Sequence, residues 1–313
     1  MLLLQSLLSQ GQQRPQHTQY VLNNYLLNPA ISGIENYIDV KAGHRNQWTG
    51  FEGAPVTNYF SIHAPIGKED VKSTATSFDG QEGNPLNWSY VPSYQASGPH
   101  HGIGLLAYTD KSGPISTTDI SVSYAYHLGL ASNLNLSVGL GAGISGISIN
   151  KNKIVLGTEA DNAIDQLAGN EFKPDISAGL WLYGTNYFFG LSGQQLLSGL
   201  SESGSILFRR VPHFFLTTGY KFFLDDAISI LPSIMVKKAQ GAPYSMDVNL
   251  KALFKERFWL GSGYRNQESF NAMAGVYLNH FFNVGYSYDF TTGNISSVTK
   301  GSHEIVLGLQ LNN

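Results

Sequence analysis

The chain has 313 residues, a formal net charge of −3 and 13% charged residues, where an ordinary soluble domain carries about 25%. Nineteen Lys and Arg against 22 Asp and Glu exclude the basic balance of a nucleic-acid binder. The absence of cysteine excludes a disulfide scaffold, a thiolate metal site and a cysteine nucleophile. Aromatics at 12% and 34 glycines exclude a disordered chain, and no run of about 20 apolar residues exists for a helical membrane span.

The chain opens on Met1-Leu2-Leu3-Leu4 and stays apolar to Leu8, ending in Ser9-Gln10-Gly11. This resembles the end of a secretory leader with a small-residue exit. Residues 1–11 are read as its remnant, leaving Gln12 as the mature start. Residues 12–35 form a separate segment. Tyr20, Leu22, Tyr25, Leu26 and Leu27 are too apolar for a free tail, and Asn23, Asn24 and Asn28 interleave with them. The segment is expected to pack as a plug into the periplasmic mouth or lumen of a barrel formed by residues 36–313, with Asn28-Pro29 turning into the first strand. A tail that orders on a partner is the alternative.

From residue 36 the dominant signal is alternation. Ile120, Val122, Tyr124, Tyr126, Leu128 and Leu130 share one parity, opposite Asp119, Ser121, Ser123 and His127. Leu134 to Ile144, Phe214 to Leu224, Phe282 to Phe290 and Ile305 to Leu311 repeat the pattern. Successive strand side chains point to opposite faces, so one face is apolar and the other polar. The polar parity is Gly, Ser, Asn and Thr rather than the Lys and Glu of a soluble sheet's wet face, which matches the lumen of a transmembrane barrel. Strands are predicted at 36–47, 56–66, 100–109, 115–130, 134–149, 172–183, 186–194, 211–224, 227–238, 244–254, 256–265, 269–279, 281–290 and 303–311. The expected fold class is all-β: a single transmembrane antiparallel β-barrel of about 14 strands over residues 36–313, with an N-terminal periplasmic segment.

Connection lengths alternate. With the N-terminus periplasmic, 131–133, 184–185, 225–226, 255 and 280 are tight inner turns. The outer connections, 48–55, 110–114, 150–171, 195–210, 239–243, 266–268 and 291–302, are longer or richer in Gly, Ser and Pro. Residues 67–99 break the rule with a long inner connection; with no alternating run inside it, a large periplasmic loop is preferred over a hidden strand pair.

Motifs suggestive of chemistry have plainer readings. Gly141-Ala142-Gly143-Ile144-Ser145-Gly146 has the letters of a dinucleotide fingerprint, but a strand rather than a helix comes after it, so no phosphate cradle forms. His100-His101, and likewise His303 and Glu304, are sequence neighbours in strands, so each pair points to opposite faces and cannot chelate one ion. Glu159, Asp161 and Asp165 lack the glycine turn and spacing of a calcium loop. No Ser-His-Asp set assembles. No catalytic residue, cofactor, metal or small-molecule substrate is assigned, and the protein is read as not an enzyme. Arg45 and Trp48 flank the first outer loop. Arg45 suits a lumen arginine paired to an acid. Trp48 suits an interfacial anchor or one end of a fixed loop, Trp48–Pro55, that shapes the outer surface.

Ordered words carry a family resemblance. Gln13-Arg14-Pro15-Gln16 leads to Gln19-Tyr20, Asn28-Pro29-Ala30 and Gly33. Next come Arg45-Asn46-Gln47-Trp48, Gly50, Gly53-Ala54-Pro55 and Thr57, then His63 and Pro65, and Gly301-Ser302-His303-Glu304-Ile305 near the end. This set resembles the PorP/SprF family of outer-membrane proteins of the Bacteroidota, over nearly the whole chain. The motif residues singled out are Tyr20, Asn28, Pro29, Ala30, Gly33, Arg45, Gln47, Trp48, Gly50, Gly53, Ala54, Pro55, His303 and Glu304. The resemblance implies a place in the outer membrane, type IX secretion and, in some members, gliding motility. It implies other secretion and motor components as partners, and in some members a large surface adhesin. A general porin or small-solute channel is the competing reading; its charge-selective lumen is disfavoured by the weakly charged inner parity. A membrane-embedded enzyme would be a third reading and lacks a constellation.

Overall fold

The structure, a computed structural model, describes residues 17–68, 74–77, 96–150, 170–199, 210–225, 227–255, 257–266, 268–279, 281–292 and 294–311. The leader remnant, the acidic residues Glu159, Asp161 and Asp165, and most of the 67–99 connection lie outside the described residues.

Strict alternation produces strands, and their pairing closes a ring. The strands are β1 Ile38–Asn46, β2 Val56–Ile66, β3 His100–Ser112, β4 Ile115–Ala131, β5 Leu134–Ile149, β6 Asn170–Tyr183 and β7 Tyr187–Gln194. After them come β8 His213–Tyr220, resumed at Phe222–Phe223, β9 Ile228–Ala239, β10 Tyr244–Phe254, β11 Phe258–Arg265, β12 Ser269–Tyr277, β13 Phe282–Thr291 and β14 Ser302–Leu311. Each strand pairs antiparallel with its chain neighbours, and β14 pairs with β1 from Leu311↔Ile38 to His303↔Asn46, which closes the barrel. The two pieces of β8 both pair with β9 and form one interrupted stave, so the fifteen strand segments make fourteen staves. Between the two pieces the register with β9 is unbroken, Gly219↔Ser233 and Phe222↔Ile230, and the Lys221 amide bonds the Asn186 carbonyl at 2.5 Å, in step with the Tyr187↔Tyr220 pair.

The two faces separate as the alternation requires. Val122, Leu140 and Leu307 are 58%, 61% and 54% exposed on the outside, while Asn135, Ser137 and Ser287 are fully buried inside. Outward apolar side chains and inward polar ones are the arrangement of a wall that meets lipid. His100 is buried and its neighbour His101 exposed, as opposite faces demand. The inner face is not uniformly slim and weakly charged: Trp181, Trp259, Arg45, Asp247, Arg265, Asp289 and Glu304 are all buried there. The strand-by-strand pattern hides these residues because each is an isolated exception among Gly, Ser and Asn.

One end of the barrel carries the connections after β1, β3, β5, β7, β9, β11 and β13, including 47–55 and 292–301, and is termed the loop end. The other carries the tight turns such as 132–133 and 184–186, and is termed the turn end.

Candidate functional site

Residues 17–37 occupy the bore. Three single 3-10 turns, Thr18–Val21, Asn24–Leu26 and Pro29–Ile31, are buried throughout. Such turns leave backbone groups unpaired, and a buried segment must satisfy them. The barrel wall does so. Ser137 Oγ donates to the Ala30 carbonyl at 2.6 Å and Ser192 Oγ to the Leu27 carbonyl at 2.6 Å. Gln194 Nε2 donates to the carbonyls of Leu26 and Leu27 at 3.0 and 2.9 Å. His127 Nε2 meets the Ser32 carbonyl at 2.8 Å and its Nδ1 meets the Tyr183 hydroxyl at 2.9 Å. Side chains of the segment reply: Asn23 to Ser61, Tyr25 to Ser123, and Tyr20 accepting from Asn249, at 2.6–2.8 Å. The polar inner parity is therefore largely a set of partners for this segment.

Asn28 anchors the third turn. Its Oδ1 accepts from the Ala30 amide at 3.0 Å, and its Nδ2 donates to the carbonyls of Leu180 and Leu191 at 2.9 and 3.2 Å. Pro29 starts the turn, where a missing N–H costs nothing. Bare wall is needed opposite these residues. A Cβ at Gly139 would overlap the Ala30 backbone, one at Gly179 the Asn28 amide, and one at Gly102 the Ser32 carbonyl. Gly33 has φ +71°, and a Cβ there would lie 2.5 Å from Gly102 Cα. The chain reverses toward β1 after this point, beyond Asn28-Pro29 where the turn was expected.

At the loop end a charged cluster holds the beginning of the segment. Arg45 and Glu304 stand opposite each other in the β1–β14 register. Arg45 Nη1 donates to Glu304 Oε2 and to Thr18 Oγ1, both at 3.1 Å, and Nη2 to Asp289 Oδ2 at 2.6 Å. Thr18 donates its amide to Glu304 at 2.8 Å and its hydroxyl to Asp289 at 2.8 Å. Arg265 grips Asp247 through Nε and Nη2 at 3.0–3.1 Å and lies 4.0 Å from Asp289. Buried charges persist only when paired, and here the pairs converge on one threonine of the segment.

Above this cluster the first loop is tied down. Gln47 N–H bonds the Pro55 carbonyl at 2.9 Å, and Trp48, at φ +52°, gives its amide to Ser302 Oγ at 3.1 Å. Thr49 exchanges backbone bonds with Gly301 and Lys300 at 2.7 and 2.8 Å, and Gly113 N–H reaches the Gly53 carbonyl at 2.8 Å. The Ala54 amide bonds the Phe51 carbonyl at 3.2 Å, closing the loop on itself. Gly50 and Gly53 have φ +93° and +74°, a region open to glycine at no steric cost. Three loops thus form one block. His303 takes no part; it faces outward, 2.7 Å from the Tyr286 hydroxyl.

The structure brings Tyr20, Asn28, Pro29, Ala30, Gly33, Arg45 and Glu304 to the bore and Gln47, Trp48, Gly50, Gly53, Ala54 and Pro55 to the loop block. Thr18, Asp289, Arg265, Asp247, Ser137, Ser192 and Gln194 are among the further bore residues and were not singled out from sequence. Asp289 stood on the polar parity among glycines and serines; an ionisable residue on a barrel's inner parity was the available signal. Three of the spaces left around the segment measure about 30–40 Å³ each, room for about two or three water molecules apiece. Among the described residues no group of three or more His, Asp or Glu could hold a metal ion.

With strand closure and motif placement established, the decisive comparison is by sequence: residues 9–309 match the description "Type IX secretion system membrane protein PorP/SprF". The chain belongs to the PorP/SprF family. None of the curated proteins matches it by sequence. Among solved structures it is similar to the Ralstonia pickettii toluene transporter TbuX, at 10% identity and TM-score 0.49 over 91% of this chain and 92% of that one. It is also similar to the Acinetobacter baumannii outer membrane protein Omp33, at 8% identity and TM-score 0.48 over 90% and 100%. A third is the CymD monoaromatic hydrocarbon channel, at 10% identity and TM-score 0.48 over 94% and 92%. PorP/SprF membership associates this membrane protein with type IX secretion.

Proposed function

We propose that this PorP/SprF-family barrel is a non-enzymatic outer-membrane subunit of the type IX secretion apparatus that acts as a sealed wall and docking block, not as a conduit. The observation that carries this reading is the filled bore: residues 17–37 bond to β1, β2, β4, β5, β6, β7, β10, β13 and β14. A diffusion porin needs a water-filled lumen, so the packed segment counts against the porin alternative. Short turns face the periplasm and long loops the exterior in barrels of this kind. On that rule the turn end and the start of β1 are periplasmic, where secretion and motor components would dock. The rigid block of loops 47–55, 113–114 and 299–302 then faces outward and suits a surface protein such as an adhesin used in gliding.

The test is deletion of the gene with surface delivery of type IX cargo measured on intact cells. Loss of delivery, restored by the full chain, is expected. Unchanged delivery would remove the secretion role, and a steady porin-like conductance of the purified barrel would favour the channel reading.

A further inference from the structure

Residues 17–37 lie along the seam where the ring closes. At the loop end the amides of Thr18 and Gln19 donate to Glu304 of β14 at 2.8 and 3.3 Å. Arg45 of β1 and Asp289 of β13 meet the Thr18 hydroxyl there. At the turn end Gln310 Nε2, near the other end of β14, donates to the Tyr37 hydroxyl at 3.1 Å. Between these ties Val306 of β14 is fully buried in one apolar cluster with Tyr25, Ala30, Ile31 and Ile34 of the segment. The segment is thus fastened to the last strand at both ends and runs covalently into the first. Away from the seam it is held by β5, β6 and β7 through Ser137, Asn28 and Ser192. Asn28 reaches backbone carbonyls of both β6 and β7 across the space that Gly179 leaves bare.

The order of assembly is constrained twice. Pairing β1 with β14 joins the strands most distant in the chain, the most demanding loop closure in the fold. A segment continuous with β1 and docked on β5, β6 and β7 shortens that search, because it brings β1 to the inner face of β14. The finished bore, in turn, resists late entry. Three of the spaces beside the segment measure only about 30–40 Å³ each, and Gly102 and Gly139 fit against the backbone of Ser32 and Ala30. A closed wall packed this tightly does not yield to Tyr20, Tyr25 and Tyr37 sliding past it. We propose that residues 17–37 are the template on which the barrel closes: the segment docks on the inner face of the open sheet, and pairing of β1 with β14 follows and traps it. Sealing is thereby tied to folding. A chain whose segment has not docked lacks the Thr18 and Gln19 amides that Glu304 accepts, so its seam closes slowly and an unplugged pore is not the product. This holds whichever mouth faces the cell exterior.

The chain has no cysteine, so engineered ones report cleanly on the full chain as it refolds from urea into detergent. Ala42→Cys with Leu307→Cys, opposite each other on the outer face of β1 and β14, times the seam. Antiparallel partners come within disulfide reach only once their strands have paired, and brief diamide pulses trap the bond. In a separate chain Val21→Cys, at a buried position of the segment, times docking by its loss of reactivity toward maleimide. Val21→Cys is expected to become protected before the seam disulfide forms or together with it. A seam that closes while Val21→Cys still reacts would overturn the proposal, since the segment would then enter a finished barrel. Asn28→Ala and Gly139→Val weaken docking on β5, β6 and β7 and leave the seam residues untouched. Each is expected to slow the seam disulfide about fivefold or more, because an interaction present when the seam pairs carries its loss into the closing rate. Seam closure at the wild-type rate in both, with Val21→Cys left reactive, would also refute it. Should either variant fail to fold, the order measured in the Val21→Cys chain still decides.

Discussion

Arg45 serves three acceptors with one planar group: Thr18, Glu304 and Asp289. A lysine ammonium is a point charge and cannot hold that fork geometry. Arg45→Ala leaves two carboxylates buried without their cation, a loss of about 3–5 kcal/mol; Arg45→Lys is expected to recover only part of it. Urea unfolding of the detergent-solubilised barrel measures both. Glu304→Gln should cost less than Arg45→Ala, because it removes one charge and keeps an acceptor for the Thr18 amide. At the turn end, Glu35 responds to pH. Burial pushes its carboxyl above the ordinary 4.5, opposed by the Ser77 hydrogen bond and by Lys68. A raised acid favours folding while protonated, so its contribution is fullest below pH 4.5 and declines as pH rises through the folded-state value. Glu35→Gln should match the wild type at low pH and gain on it toward neutrality. Unfolding midpoints across that range check the sign; a constant difference at all pH values would contradict it.

The glycines of β3, β5 and β6 look interchangeable in sequence, yet the fold uses them differently. Gly102, Gly139 and Gly179 are notches for Ser32, Ala30 and Asn28, while a Cβ at Gly98, two residues ahead of β3, would meet nothing within 4 Å. Gly139→Val is expected to destabilise the barrel by about 1–3 kcal/mol through overpacking and to expose residues 17–37 to protease. Gly98→Ala should do neither. Strand identity was legible because the apolar period of two is local: 56–66, 134–149 and 244–254 coincide with β2, β5 and β10. The gap in β8 was not, because Lys221 keeps the alternating parity and its amide stays in step with the Tyr187↔Tyr220 pair by bonding Asn186. The notches were invisible for another reason: each depends on a residue about 70 to 150 positions away, read from the chain numbers of the pairs Gly102–Ser32, Gly139–Ala30 and Gly179–Asn28. Arg45 and Glu304 could be picked out as motif residues but not as partners, since only barrel closure sets them side by side.

At the scale of the whole molecule, the outer wall and the bore are distinct problems with one solution. Lipid stabilises the apolar exterior; the interior of a ring of this size is too wide for wall side chains alone to fill. Here the chain fills it with its own first described residues, and the fit is fixed by charge at one mouth and by covalent continuity into β1 at the other. That asymmetry makes the loop mouth the weaker seal, because there the segment is held by side-chain contacts of His17, Thr18 and Gln19 with Glu304, Asp289 and Arg45 and not by the covalent chain. Wild-type barrel in a planar bilayer is therefore expected to show no steady ion current. Arg45→Ala, which frees the carboxylates that grip Thr18, should admit intermittent current as the segment's loop end comes loose. A double variant, Thr18→Cys with Asp289→Cys, replaces the grip by a disulfide and should be silent when oxidised even with Arg45→Ala added, and conducting when reduced. Current that is steady in the wild type, or unaffected by oxidation in the triple variant, would mean that ions pass by a route the bore segment does not control.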